Sequence, residues 1–366
     1  VATLDRRALN RATLARQLLL DRSELPVPVA VEHLVGLQAQ TPHTWYVGLW
    51  SRLAGLDPVA VGGLLEHRVL VRLPLMRSTI HLVTADDAVA LRPPTQPPIE
   101  RSTMGVFGRY LVGVDRGQLV AAARALVEER PRVASELGRL LAERFSGRDP
   151  AALAQAARAW LPMVQIPPRG VWCRSGRALQ VPLETWLARP QAAMPLDRLV
   201  LRYLAAFGPA TVRDVQTWSG LTRLAEVMNA RRLDLRVFGG PDGSELFDLP
   251  DAPRPDPDIP APVRFLYDFD NLLLSHNDRR RVFGDPGDID YAAHGYTAEA
   301  NLQPSSVLVD GMVAATWTLV RGRGTAILKV RGFRPLTPAE RAEVEAEGAA
   351  VLRFLRPSDA HDVRVE

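Results

Sequence analysis

Cysteine is nearly absent: Cys173 is the only one in 366 residues. An internal disulfide is therefore impossible, and no zinc site with two cysteine ligands can be built. The seven histidines, His33, His43, His67, His81, His276, His294 and His361, show neither HxxxH nor HxH spacing. No metal is expected from that pattern. No stretch approaches the roughly 18 consecutive apolar residues of a membrane span. The N-terminal segment carries Asp5, Arg6, Arg7, Arg11 and Arg16 at helical spacing, without an apolar block followed by small residues. A secretory signal is thus not expected, and the expected location is the cytoplasm. Neither a phosphate-cradling P-loop nor a dinucleotide fingerprint occurs, so no cofactor is expected. Lysine is as scarce as cysteine: Lys329 stands alone among 45 basic residues.

What is there is arginine. The formal charge is +4 and the sequence pI about 9.6, a modest excess. A GC-rich genome accounts for much of the arginine, alanine and proline. Arginine is also the side chain best shaped for phosphates and base edges, because its planar fork donates two hydrogen bonds at once. With 47% hydrophobic and 23% charged residues, the composition is that of a folded globular chain.

The periodicity repeats one pattern three times. Residues 196–207 have apolar positions on one helical face, stopped by Gly208-Pro209. Thr211 and Asp214 have capping-box spacing for a second helix, and Thr222 is placed to cap a third. Residues 233–238 and 245–249 alternate around a Gly-Gly-Pro-Asp-Gly turn. Three helices followed by a hairpin is the winged-helix order. An earlier copy has helices over 118–129, from Ser135, and from Asp149-Pro150, with a hairpin of 163–166 and 171–174 about a Pro-Pro-Arg-Gly tip. The first copy has helices at 4–22, 28–37, from Thr41-Pro42 and from Asp57-Pro58, then a strand pair between 69 and 83. Thr84 to Asp87 form another capping box. Prolines in 92–98 and 250–263 read as separators. The expected fold is α+β: winged-helix units at 1–98, 99–192 and 193–250, then a β-rich region at 251–366. That region has strands near 307–309, 313–320 and 325–330, a basic hairpin tip, and a closing helix at 338–355.

The candidate site is Gln38-Ala39-Gln40. Pro42 biases Thr41 towards extended backbone, and Thr41 is placed to cap the next helix. In an extended segment Gln38 and Gln40 point the same way, with Ala39 behind. On a helix they would lie about 200° apart. Two parallel amides can hold a water or grip a base edge, or they can simply satisfy loop backbone. Candidate DNA contacts are Arg77 and His81, which strand alternation puts on one face with Thr79, and Arg169 at the second hairpin tip. Arg223, Asn229 and Arg231 lie on the outer face of the third recognition-type helix. Arg321 and Arg323 form the basic finger. Arg279 opens an arginine triplet that either binds phosphate or pairs with Asp268, Asp270 and Asp278.

Three stretches carry a family resemblance. Residues 9–12 running to Leu34-Val35-Gly36-Leu37-Gln38-Ala39-Gln40, then Met76-Arg77-Ser78-Thr79-Ile80-His81-Leu82-Val83, and Phe269-Asp270-Asn271-Leu272-Leu273-Leu274-Ser275-His276 are similar to the AlkZ-type winged-helix DNA glycosylases, with YcaQ as the broader bacterial relative. The resemblance covers nearly the whole chain. It implies three tandem winged helices about a basic channel. It also implies excision of N7-alkylated purines and unhooking of interstrand crosslinks. Gln38 and Gln40 fall on the family's Gln-x-Gln catalytic motif, whose second member is acidic in the YcaQ branch. Gln40 therefore resembles the branch that protects actinomycetes from their own alkylating products, azinomycin-type crosslinks being the first expectation. The implied partner is double-stranded DNA carrying alkylated or crosslinked guanine, which puts the expected location at the nucleoid within the cytoplasm. A monomer is expected, because three tandem units already span a duplex site that other winged-helix proteins cover by dimerising. A non-catalytic DNA-binding regulator and a lesion-binding scaffold share the same fold and charge.

Overall fold

Apolar runs far apart in sequence meet in one sheet. In the computed structural model, which describes residues 2–285, 287, 289–296 and 304–366, the strands β1 (Leu37–Gln38), β2 (Leu70–Pro74), β3 (Ile80–Thr84), β4 (Met163–Gln165) and β5 (Gln180–Pro182) lie in the order β1-β3-β2-β4-β5. Strands β2 and β3 are buried along their whole length, Arg72 and His81 included, as strands covered on both faces are. The sheet separates two cores. Leu37, Ala39 and Leu82 pack with the helices Trp45–Trp50 and Pro58–Glu66 and with Phe265 and Tyr267. Leu73 and Val83 pack on the other side with Tyr203, Leu204 and Trp218.

The approach to β1 is set by backbone conformation. The first helix, Arg6–Arg16, is shorter than its periodicity suggests, because Leu18 turns left-handed (φ 57°) and sends Leu19 into the core. The second, Val27–His33, ends where Val35 and Gly36 take φ 54° and 85°. Only glycine fits at 36: a Cβ there would sit 2.6 Å from Val83 Cγ1 and 2.9 Å from the Leu82 carbonyl oxygen.

The middle of the chain departs from the expected hairpin. Strand β4 pairs with β5, not with 171–174. The latter segment is used elsewhere: Val171 joins the first core and Trp172 packs at a tilt of 56° against Tyr46, ring centroids 4.8 Å apart. Helices Arg116–Glu129, Ala134–Arg144 and Pro150–Trp160 precede β4. Asp149 caps the third as its sequence suggests, whereas the second has Val133, not Ser135, at its N-cap position and no side-chain cap. Strand β4 also pairs with β2 at Arg72 and Gln165, so the first two expected units share a sheet. The proline-rich 92–98 stretch does not hang free. Arg92 and Thr95 are buried and the helix Gln96–Phe107 begins within it.

Helices Leu196–Phe207, Val212–Ser219 and Leu224–Ala230 are followed by the hairpin of β6 (Arg236–Gly239) and β7 (Glu245–Asp248). The Thr211–Asp214 capping box is present in full. The third helix starts at a left-handed Arg223 (φ 63°), not on a Thr222 cap. A second sheet follows the order β12-β11-β10-β9-β8. It holds β8 (Arg264–Phe265), β9 (Ser306–Val309), β10 (Met312–Arg321), β11 (Thr325–Gly332) and β12 (Ala360–Val365). The helix Pro338–Leu355, started by a Thr337–Glu340 capping box, carries the chain over to β12, which runs parallel to β11. The fold is α+β. Among the described residues no helix is long and apolar enough to cross a membrane.

Candidate active site

Strand β1 places the glutamines. Gln38 pairs with His81 of β3, and His81 pairs with Leu73 of β2. Residues directly opposite share a sheet face, so Gln38 and His81 are side by side. Pairing continues one residue further, where the Ala39 N–H donates to the Ile80 carbonyl at 2.7 Å. Alternation then returns Gln40 to the face of Gln38, with Ala39 buried behind, as the sequence suggests. Gln38 is buried and Gln40 exposed.

Both amides are oriented by donors to their oxygens. Arg77 Nη2 donates to Gln38 Oε1 at 2.7 Å, and the Ile80 N–H donates to Gln40 Oε1 at 3.2 Å. Each oxygen keeps a second lone pair, and each amide NH2 points away from the donor. The main chain of Gln38 is held from the far side of the chain. Tyr267 Oη donates to its carbonyl at 2.9 Å, and Asn271 Nδ2 donates to the Gly36 carbonyl at 2.7 Å. The Tyr267–Asn271 segment is itself fixed by a buried two-point ion pair of Asp270 with Arg52, at 2.7 and 2.8 Å.

Arg77 is not on a strand face. It sits in the turn Met76–Ser78 with φ 54°, and its other terminal nitrogen donates to the Trp218 carbonyl at 2.5 Å. The expected strip of Arg77, Thr79 and His81 along one strand is thus replaced by a turn that swings Arg77 inward between Gln38 and the helix Val212–Ser219. His81 is buried, its Nδ1 lying 2.9 Å from the Thr79 carbonyl. That contact makes Nδ1 the protonated nitrogen and leaves Nε2 as an acceptor. Burial, with Arg77 beside it, pushes His81 down to about 3. Burial and the nearby Arg279 pull Arg77 down to about 10.

Thr41 does not cap the next helix. Its hydroxyl donates to Asp268 Oδ2 at 2.5 Å, and that of Thr44 to Asp268 Oδ1 at 2.6 Å, so both threonines are turned to a carboxylate from the C-terminal region. The helix starts beyond them at Trp45. The arginine triplet is also paired differently from the sequence reading. Asp270 takes Arg52 and Asp268 takes the threonines. Arg280 alone pairs with Asp278, at 2.6 Å. Arg281 reaches Thr13 Oγ1 and the Pro209 carbonyl.

Sequence reasoning missed Arg72. It is buried under the motif, with Nη2 donating to the Ala39 carbonyl at 2.7 Å while Nε and Nη1 have no partner among the described residues. Burial, with Arg169 nearby, lowers it to about 10. Its signal was an arginine inside the apolar run Leu70-Val71-Arg72-Leu73. The other candidates scatter. Arg169 is half-buried and donates to the Gly176 carbonyl at 3.1 Å. Arg223 is exposed and paired with Glu226, Arg231 with Asp234 at 3.3 Å, and Asn229 is exposed. Exposed Arg279, Arg321 and Arg323 make no ion pair or hydrogen bond through their side chains among the described residues, and the latter two flank the tip of the β10–β11 hairpin. No group of three or more His, Cys, Asp or Glu able to hold a metal occurs among the described residues.

A family model described as DNA glycosylase AlkZ-like matches residues 31–354. The solved structure of Streptomyces sahachiroi DNA glycosylase AlkZ shares the fold at a TM-score of 0.75, with 19% identity and 100% of each chain covered. No curated protein matches the chain in sequence.

Proposed function

Because this chain belongs to the DNA glycosylase AlkZ-like family, whose substrate is DNA, we propose that it hydrolyses the N-glycosidic bond of N7-alkylated purines and unhooks crosslinks made through that nitrogen. The observation that carries this reading is the pair of amides of Gln38, in β1, and Gln40, just beyond it, each with its oxygen anchored by a protein donor and a lone pair to spare. An N7-alkylated purine is cationic. When its C1′–N9 bond breaks, the bonding pair neutralises the base, which leaves without needing a proton. The sugar becomes oxocarbenium-like, as in glycoside hydrolysis. A water oxygen then bonds C1′ and loses its proton to solvent. Amide oxygens suit this chemistry, because they orient the water and put the negative ends of two dipoles near the developing cation. No carboxylate base is required, since the leaving group is already activated.

Supporting elements follow. Tyr267, Asn271 and Arg72 hold the backbone of the motif, and Arg77 sets the rotation of the Gln38 amide. Arg279, Arg321 and Arg323 are among the exposed arginines available for phosphates, and the three-helix-plus-hairpin unit at 196–248 serves as a winged helix on the duplex. The proposed working form is a monomer in the cytoplasm, hydrolysing the bond without lyase activity, in the service of base-excision repair and self-resistance.

The test is a duplex carrying one 7-methylguanine and, separately, one N7–N7 crosslink. Free base and alkali-labile sites are scored for the native chain, Gln38→Ala and Gln40→Ala. Each substitution is expected to lower release by about 100-fold, the scale of losing one positioned polar group, with DNA affinity kept. Binding without base release by the native chain rejects the reading. Release untouched by both substitutions rejects the glutamines.

A further inference from the structure

His81 faces Gln38 across the β1–β3 ladder, and the kind of pairing sets how close the two side chains stand. The Ala39 N–H donates to the Ile80 carbonyl, so residues 39 and 80 form a hydrogen-bonded pair. The two kinds of pair alternate along an antiparallel ladder, which makes Gln38 and His81 a non-hydrogen-bonded pair. The main chain agrees. Gln38 turns its N–H towards Asn271 Oδ1, at 3.4 Å, and its carbonyl towards Tyr267 Oη, away from β3. Pairs of this kind hold their Cα atoms about 4.5 Å apart, with the side chains in contact range. The imidazole leans along β3 towards Thr79, whose carbonyl lies 2.9 Å from Nδ1. With 38 opposite 81 and 39 opposite 80, Thr79 stands level with Gln40, so the ring leans from one amide towards the other.

The lone pair on His81 Nε2 has no use within the protein. Nδ1 carries the proton, so Nε2 is an acceptor. Nothing among the described residues donates to it, and the sliver of His81 that stays accessible, 2%, includes that atom. Neighbouring groups cannot stand in for it. Arg72 and Arg77 are donors only. The carboxylates that the C-terminal region brings to the motif are engaged, Asp268 by Thr41 and Thr44 and Asp270 by Arg52. A neutral acceptor is what a water beside a cationic sugar needs, since a protonated ring would donate instead and repel the developing charge. Burial and the Arg77 charge keep His81 neutral, at about 3.

We propose that His81 is a water-positioning residue: its Nε2 accepts one hydrogen of the attacking water while the spare lone pair of Gln38 Oε1 accepts the other, which turns an oxygen lone pair towards C1′. The inference rests on the proposed hydrolysis of N7-alkylpurines. The water oxygen bonds C1′ as the C1′–N9 pair departs with the base, and the surplus proton passes to solvent. His81 holds the water and does not keep the proton.

Two substitutions separate the two ring nitrogens. In His81→Asn the side-chain amide takes the place of Nδ1 and keeps a donor for the Thr79 carbonyl, but nothing reaches the place of Nε2. In His81→Gln the amide reaches the place of Nε2 and the Thr79 contact is lost. Single-turnover release of 7-methylguanine at saturating duplex is expected to fall about tenfold in His81→Asn, the scale of one hydrogen bond. In His81→Gln it should return to within about threefold of the native rate. A merely structural histidine predicts the reverse order, so His81→Asn at the native rate, or His81→Gln no better than His81→Asn, overturns the proposal. The second readout is the product formed in water–methanol mixtures. Water has two hydrogens for two acceptors and methanol has one, so the native site should favour water. The proportion of methyl glycoside, which survives alkali where an abasic site does not, is expected to rise at least threefold in His81→Asn and to fall back in His81→Gln. An unchanged proportion overturns the water contact even if the rate falls. A native chain that binds the lesion and releases no base rejects the glycosidic reading and this inference with it. Base release by the native chain together with either failure above rejects the role of His81 alone.

Discussion

Arg72 and Arg77 differ from Arg321 and Arg323 in everything but residue type. The first pair is turned into the protein. Arg72 is buried and spends its one hydrogen bond on the Ala39 carbonyl, while Arg77 bridges Gln38 and Trp218. The second pair stands at an exposed hairpin tip with no ion pair among the described residues. An arginine-rich composition is thus a poor map of a DNA surface. In this chain some of the cations most deeply tied to the motif are structural, and those free for phosphate lie elsewhere on the surface. The contrast makes opposite demands of substitution: the inner pair should change chemistry without changing salt dependence, and the outer pair the reverse.

Arg72→Met is the strongest way to break the comparison. Removing a buried cation with two unpartnered nitrogens relieves a desolvation cost, and removing its bond to Ala39 leaves a carbonyl unsatisfied, so the two effects oppose. The net change in stability should stay within about 2 kcal/mol. The glutamine segment, however, loses its anchor. Misplacement by a fraction of an ångström should lower single-turnover base release about tenfold. A melt and a single-turnover assay on the same preparation decide it. Loss of release that merely tracks loss of folded protein would make Arg72 an ordinary core residue.

Arg321→Ala with Arg323→Ala should do less to chemistry and more to binding. Every phosphate that an arginine no longer neutralises lowers the slope of log affinity against log salt by about 0.9, so the pair should lower it by about 1.8. Release at saturating DNA should hold within about threefold, on the argument that binding shared by ground and transition states moves affinity alone. An unchanged salt slope would remove the hairpin from the DNA surface.

These contrasts also mark what was readable from sequence. Signals confined to a few neighbouring residues carried through: the Thr211–Asp214 capping box, Asp149 before Pro150, the Arg321–Gly324 tip and the helix at 338–355. The extended Gln38-Ala39-Gln40 segment was readable for the same reason. What was missed depends on partners far away in the chain. Thr41 has the right residue type and position for a cap, but Asp268, 227 residues on, takes its hydroxyl. Strand β12 alternates charged and small residues without an apolar run, and exists because β11 offers it a parallel edge. Residues 171–174 looked like half of a hairpin until the first core claimed Val171 and Trp172. Local pattern sets which structures a segment can adopt, and long-range packing chooses among them.

The smallest effect comes from His81, which stands between the two arginine classes because the Arg77 charge beside it adds to burial in keeping it neutral. Its folded-state value of about 3 lies below the roughly 6.5 of an unfolded histidine. Between those values the unfolded chain binds a proton that the folded chain refuses. Stability from this group is therefore full above about pH 6.5 and falls as the pH is lowered towards 3, by at most about 1.4 kcal/mol per pH unit. Buried His276, also lowered, acts in the same direction, as do the ion-paired carboxylates. The His81 share is isolated by difference. His81→Asn keeps a donor for the Thr79 carbonyl and has nothing to titrate, so denaturant midpoints measured from pH 7 to pH 4 should fall less steeply for the variant than for the native chain. Parallel curves would mean that His81 takes up its proton in the folded state as readily as in the unfolded one, and that the imidazole beside Gln38 is not held neutral.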